Sequence, residues 1–302
     1  MISRRAFLGL ATTAPLSAVV RADATPCSTA SLEGVPVRKC GKVEIAFKSP
    51  GPQPNGLQAT REGLWIIDQS AGSRAWLVDY ADGKVLRSFD TDTVRPSGIT
   101  FDGEALWIGS TFSYENVRCD AQTGAVLERR PTPGSTNYTM AGDPPNRPSP
   151  LANGPLAQRR PPSLPDAAAA SSSTAPSGPV RRLTQTPSTQ LQGAHGQEWR
   201  DGKLWTTSTS ARTIYCLDAK TWVVEKRFQT PGNRPHGLAW EGRYLWHGES
   251  NLAAFFKFDV DTGAMVEKIQ LADADPVAHG LTIWNGTLWY CDDIGVVCKM
   301  TI

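Results

Sequence analysis

The chain has 302 residues, 40% of them hydrophobic, and a net charge of +2 at pH 7. That length and apolar content suffice for a sizeable core. Its basic residues form short Arg pairs and no block, so nucleic acid is excluded as an expected partner.

Residues 1–24 place Arg4 and Arg5 before Phe7 and Leu8, in a mildly apolar run with no acidic residue until Asp23. With Ala22-x-Ala24 behind it, this segment resembles a twin-arginine export signal, which implies the periplasm or the exterior of a bacterium. The apolar run is too short and too interrupted to span a bilayer, and no other stretch qualifies. Disulfides persist in such a compartment. Cys291 and Cys298 flank a short predicted turn and form the first candidate pair; Cys27 and Cys40 form the second.

Residues 25–52 hold an N-terminal segment and one strand. Cys40-Gly-Lys-Val-Glu-Ile-Ala-Phe47 reads like Asp82-Gly-Lys-Val-Leu-Arg-Ser-Phe89, and each lies 15 residues before the start of a repeat. Five repeats follow. Each begins with a small or polar residue plus Gly: Asn55-Gly56, Ser97-Gly98, His195-Gly196, His236-Gly237 and His279-Gly280. Each has Trp ten positions later, in a Leu-Trp pair ending at Trp65, Trp107, Trp205, Trp246 and Trp289. A period of about 40 residues indicates a β-propeller or a solenoid.

The repeat 236–271 reads as four strands. Leu238 and Trp240 alternate with small or polar neighbours. A Glu-Gly-Arg turn precedes Leu245-Trp246, a third strand covers 254–258, and Asp259…Gly263 makes a hairpin turn. The same turn recurs at Asp79…Gly83 and Asp120…Gly124, with Trp222 replacing Gly at Asp218…Trp222. The last repeat lacks its fourth strand, which the strand at 40–47 supplies. That exchange between the ends favours a closed propeller over a solenoid, because closure removes open sheet edges. The expected fold is all-β: a five-bladed propeller with blades one and two at 53–130 and blades three to five at 193–302. Residues 131–192, rich in Pro, Ala and Ser, are predicted to be a disordered insertion, the alternative being a sixth, atypical blade near 180–183.

In such a ring the residue before each Gly lies at one mouth of the channel. Three residues past each Trp stand Asp68, Ser110, Ser208, Glu249 and Asp292, all polar. His195, His236 and His279 converging with carboxylates suit a divalent metal ion (Mg, Zn, Cu, Fe or Mn) or general acid–base chemistry. Asn55, Asp68, Ser97, Ser110, Ser208 and Asp292 are the expected substrate-binding residues. No nucleotide cofactor is indicated. His247, inside a strand, is read as structural.

His236-Gly-Leu…Leu245-Trp246-x-x-Glu249 is similar to the repeat of streptogramin B lyase-like propellers. The resemblance implies a metal-assisted lyase or hydrolase acting on a small molecule, with His236 or His279 as base and Glu249 or Asp292 beside the metal. Gly-Leu and Gly-Lys-Val segments give a weaker similarity to five-bladed glutaminyl cyclotransferases, which implies acyl chemistry. The remaining alternative is a non-catalytic propeller, a monomer binding a small ligand or another exported protein.

Overall fold

A computed structural model describes residues 32, 34–70, 72–133, 193–292 and 294–302. Among the described residues there are five sheets, each of four antiparallel strands. Blade one is β2 (Pro54–Ala59), β3 (Leu64–Asp68), β4 (Arg74–Val78) and β5 (Val85–Asp90). Blade two is β6 (Pro96–Phe101), β7 (Ala105–Ser110), β8 (Glu115–Asp120) and β9 (Val126–Pro131). Blade three is β10 (Ala194–Arg200), β11 (Lys203–Ser208), β12 (Thr213–Asp218) and β13 (Val224–Gln229). Blade four is β14 (Pro235–Glu241), β15 (Tyr244–Glu249), β16 (Ala254–Asp259) and β17 (Met265–Gln270). Blade five is β18 (Leu281–Trp284), β19 (Thr287–Asp292) and β20 (Val296–Thr301), completed by β1 (Glu44–Lys48).

The expected closure is present: β1 pairs antiparallel with β20, Glu44 opposite Lys299 and Lys48 opposite Val296. Just upstream, Val37 makes a parallel bridge to Lys268 at the outer edge of blade four. Arg38 there pairs with Glu241 and Glu267, both at 2.7 Å, and its guanidinium lies 5.2 Å from the Trp246 ring. The N-terminal segment thus straps blade four before it closes blade five. The predicted insertion, apart from residues 131–133, lies outside the described residues, as do the sixth-blade alternative, the export signal and Cys27. No helix among the described residues is long and apolar enough to cross a membrane.

The Leu-Trp pairs are core. Leu64, Leu106, Leu204, Leu245 and Leu288 are fully buried, and each adjoining Trp is at most 6% exposed. Successive side chains on a strand face opposite ways, so Leu packs against one neighbouring blade and Trp against the other. The Asp turns are backbone devices. Asp79, Asp120, Asp218 and Asp259 each accept from backbone N–H groups two or three residues on, and Gly83, Gly124 and Gly263 have φ between +73° and +77°. Trp222 adopts φ +59° in place of Gly, held by stacking on Trp107 at 5.5 Å and by donating its indole N–H to the Pro131 carbonyl at 2.9 Å.

The glycine of each X-Gly pair answers to packing between blades and not to a turn. None of Gly56, Gly98, Gly196, Gly237 and Gly280 has positive φ. The innermost strands β2, β6, β10, β14 and β18 contact one another in a closed ring, and a Cβ on any of these glycines would strike the next strand's backbone. Gly98 faces the His195 carbonyl, Gly196 the His236 carbonyl, and Gly280 the Cα of Gly56. Five inner strands enclose so narrow an axis that only the residue without a side chain fits.

The candidate disulfide is corrected. Cys291 and Cys298 are free thiols. They lie on paired strands but one position out of register, Cys291 opposite Val297 and Tyr290 opposite Cys298. Their side chains therefore leave opposite faces of the sheet, Cys291 toward blade one and Cys298 toward blade four. Cys40, Cys119 and Cys216 are free as well.

Candidate functional site

The three repeat histidines meet. The His195 and His236 ring centroids are 5.1 Å apart, those of His236 and His279 are 4.4 Å apart, and both pairs are edge-on. Each ring is buried, with at most 6% exposure. Their first hydrogen bonds set the tautomers. The hydroxyl of Ser250, in the 3-10 turn Ser250–Leu252, donates to the Ala278 carbonyl. It therefore accepts from His236 Nδ1 at 2.8 Å, and the same nitrogen faces the Arg234 carbonyl at 3.0 Å. His195 Nδ1 donates to the Gly193 carbonyl at 3.2 Å. Both imidazoles consequently carry a lone pair on Nε2. Arg234 donates from Nη2 to His279 Nε2 at 3.3 Å.

Burial depresses the basicity of these rings. It holds His195 at about 4, and the neighbouring charges of His279 and Arg234 add to it. His236 lies well below the usual histidine range, through burial first and then His279, His195 and Arg234. At neutral pH these two rings are uncharged hydrogen-bond acceptors beside a guanidinium.

The other two ring positions hold Asn55 and Ser97, both buried. Asn55 Oδ1 has no hydrogen-bond partner among the described residues, and Ser97 Oγ accepts from Gln69 Nε2 at 3.0 Å. The polar groups three residues past each Trp point elsewhere than into a shared rim. Asp68 Oδ2 accepts the Gln53 N–H at 2.7 Å, Ser110 Oγ that of Val94 at 2.8 Å, Glu249 Oε1 that of Arg234 at 2.8 Å, and Asp292 Oδ2 that of Val277 at 2.6 Å. Each is a latch that holds the loop leading into its own blade's inner strand. Ser208 lies 3.2 Å from Ser210 Oγ. Glu249, expected as a catalytic group, is fully buried, and its second oxygen lies 3.5 Å from His247 Nε2 inside blade four. Its observed contacts position Arg234 and, through that loop, His236.

The trio does not fit a metal ion as built. Among the described residues no group of three or more His, Cys, Asp or Glu side chains is arranged to hold one. The Arg234 guanidinium stands on the His279 Nε2 lone pair, and the carboxylates that would balance a cation are turned into the latches. Sequence reasoning missed Arg234 and Ser250. Both lie in repeat columns: Arg234 stands two residues before His236 as Arg95 stands two before Ser97, and Ser250 follows Glu249 as Thr111 follows Ser110, Thr111 Oγ1 donating to the Ala194 carbonyl as Ser250 Oγ donates to that of Ala278.

The fold is a five-bladed β-propeller in which histidines from three successive blades meet. No protein-family model matches the sequence, and no curated protein does. Among solved structures the chain is similar to the glutaminyl cyclase of Myxococcus xanthus, with TM-score 0.56 and 10% identity over 88% of this chain and 97% of that one. A catalytically inactive virginiamycin B lyase from Staphylococcus aureus with quinupristin gives TM-score 0.45 and 16% identity over 84% and 68% of the two chains. A streptogramin B lyase gives TM-score 0.44 and 14% identity over 87% and 98%. At these identities the likeness is one of fold.

Proposed function

We propose that the His195–His236–His279 mouth binds a small anionic molecule, with Arg234 as the cation that recognises it and His195 and His236 as neutral proton acceptors. One observation carries this reading: three imidazoles from three successive blades stand ring against ring at 5.1 and 4.4 Å, and the Arg234 guanidinium donates to the last of them. Such a pair of roles suits a lyase or hydrolase that removes a proton from a bound carboxylate-bearing substrate. The resemblance in the His236-to-Glu249 repeat supports the same class. The twin-arginine-like leader supports an activity outside the cytoplasm.

An anion seated beside His195 and His236 stabilises their charged forms, so its binding takes up protons in mildly acidic solution. The test is a melting-temperature screen of the mature protein against small carboxylates and inorganic phosphate, followed by calorimetry at pH 5.5 in buffers of different ionisation enthalpy. A stabilising anion, bound with net proton uptake and lost in both His236→Gln and Arg234→Gln, is the expected result. A shift that survives in both variants, or no shift across the panel, removes the proposal.

A second reading, a non-catalytic binding propeller, is favoured by the latches. Asp68, Glu249 and Asp292 are engaged in holding backbone, which leaves the mouth with acceptors and a guanidinium. Anion binding without turnover of the bound compound distinguishes it.

A further inference from the structure

The inner strands carry a second polar ring, three residues beyond the first. Its members are Gln58, Thr100, Glu198, Ala239 and Thr282, one per blade. Side chains from adjacent blades touch there. Thr100 Oγ1 donates to Gln58 Oε1 at 2.6 Å and lies 3.5 Å from Glu198 Oε2, while Thr282 Oγ1 accepts the Ala59 N–H at 3.1 Å. Gln58 gives its Nε2 to the Ala59 carbonyl, which leaves its oxygen facing Thr100. Glu198 is 6% exposed and Thr100 is fully buried.

Glu198 has no ion-pair partner among the described residues. Its Oε2 accepts the Trp199 N–H at 3.0 Å. Arg200, the nearest cation in the sequence, makes no contact ion pair with it and acts on it through space alone. Its guanidinium lies 3.7 Å from the Trp240 ring and donates to the Gly242 carbonyl. A carboxylate removed from water without a counter-charge is costly, so it takes up either a proton or a cation. Burial pushes the Glu198 carboxyl up to about 8, which measures how poorly this site tolerates an unbalanced negative charge. The carboxylate accepts from the backbone N–H groups of Trp199 and Trp240, and the side-chain groups beside it are the Thr100 hydroxyl and, on that hydroxyl, the Gln58 amide oxygen. An all-oxygen set selects a hard cation over the transition metals that imidazole and thiolate prefer.

We propose that Glu198, Gln58, Thr100 and Thr282 form a hard-cation site in the propeller channel, separate from the histidine mouth and specific for calcium, magnesium or an alkali ion. The bound ion ties blades one, two, three and five together through their innermost strands. The site therefore acts on the stability of the ring, and it stands whether or not the histidine mouth binds an anion.

The experiment is thermal melting of chelator-treated protein at pH 8.5, titrated with CaCl2, MgCl2, NaCl or KCl alone, on the wild type, Glu198→Gln and His236→Gln. The expected result is a rise of roughly 5 °C for one cation at about a hundredfold excess over its Kd. Glu198→Gln, which keeps the shape and removes the charge, folds and loses the rise, whereas His236→Gln keeps it. Glu198→Gln also melts higher than the cation-free wild type. A rise that persists in Glu198→Gln, or none with any of the four salts, overturns the proposal and leaves Glu198 as a buried carboxylic acid that takes a proton only.

Discussion

Blades one and two and blades three to five use one backbone plan for different chemistry. Position X before the inner glycine is Asn55 and Ser97 in the first pair and His195, His236 and His279 in the last three. The glycine beside it is invariant across all five because the ring leaves no room for a Cβ. The latch position varies between hydroxyl and carboxylate, yet in blades one, two, four and five it accepts the same kind of loop N–H. Architecture is thus five-fold while the titratable groups lie on one side of the ring. Equivalence of position does not imply equivalence of function, and the repeat must be separated into columns that pack and columns that vary.

The largest expected effect tests the shared column. Gly98→Ala in blade two and Gly237→Ala in blade four should each cost about 3 kcal/mol, since a methyl group meets backbone on the neighbouring strand. Chemical denaturation measures both, and a tolerated alanine in either blade would break the symmetry of the ring. The next effect belongs to the histidine side alone. His195 is held at about 4, below its unfolded value of 6.5, so the unfolded chain binds the proton that the folded chain refuses. Its contribution is whole above pH 6.5 and is lost as the pH falls toward 4, amounting to about 2 kcal/mol at pH 5. Denaturation curves at pH 7 and pH 5 should differ by at least that much in the wild type, because His236 is depressed as well, and by about 2 kcal/mol less in His195→Gln. Smallest are the latches. Glu249→Ala should cost about 1.5 kcal/mol and Ser110→Ala about 1 kcal/mol, because a charged acceptor makes the stronger bond. Amide exchange should show the freed loops as faster exchange at Arg234 and Val94; unchanged protection would mean that the latches do not hold them.

Much of this architecture is legible in the sequence. The ten-residue offset to Trp, the Asp…Gly turns and the likeness of 40–47 to 82–89 all report backbone geometry, and backbone geometry repeats. The meeting of the three histidines follows from the same register. What stays hidden is direction. Asp68, Glu249 and Asp292 stand where a rim would be, but their oxygens turn back to the loop N–H groups nearest them, which satisfies buried donors at no extra cost in order. Glu198 was within reach, since the column three past X reads Gln, Thr, Glu, Ala, Thr; an acid among small and neutral residues is the signal. Arg234 has a weaker signal, because the column two before X reads Gln53, Arg95, Gly193, Arg234 and Val277, and Arg95 alone shares its type. Cys291 and Cys298 show the opposite error, in which nearness along the chain concealed a one-residue offset across the sheet.

Because β1 joins β20, the last blade is built from segments about 250 residues apart in the chain. Blades one to four can form from local hairpins as the chain lengthens, but closure waits for the final strand and pays the loop entropy of the whole ring. His279 belongs to the blade that closes last, so the three histidines are expected to be held in place only once that blade has docked on blade four.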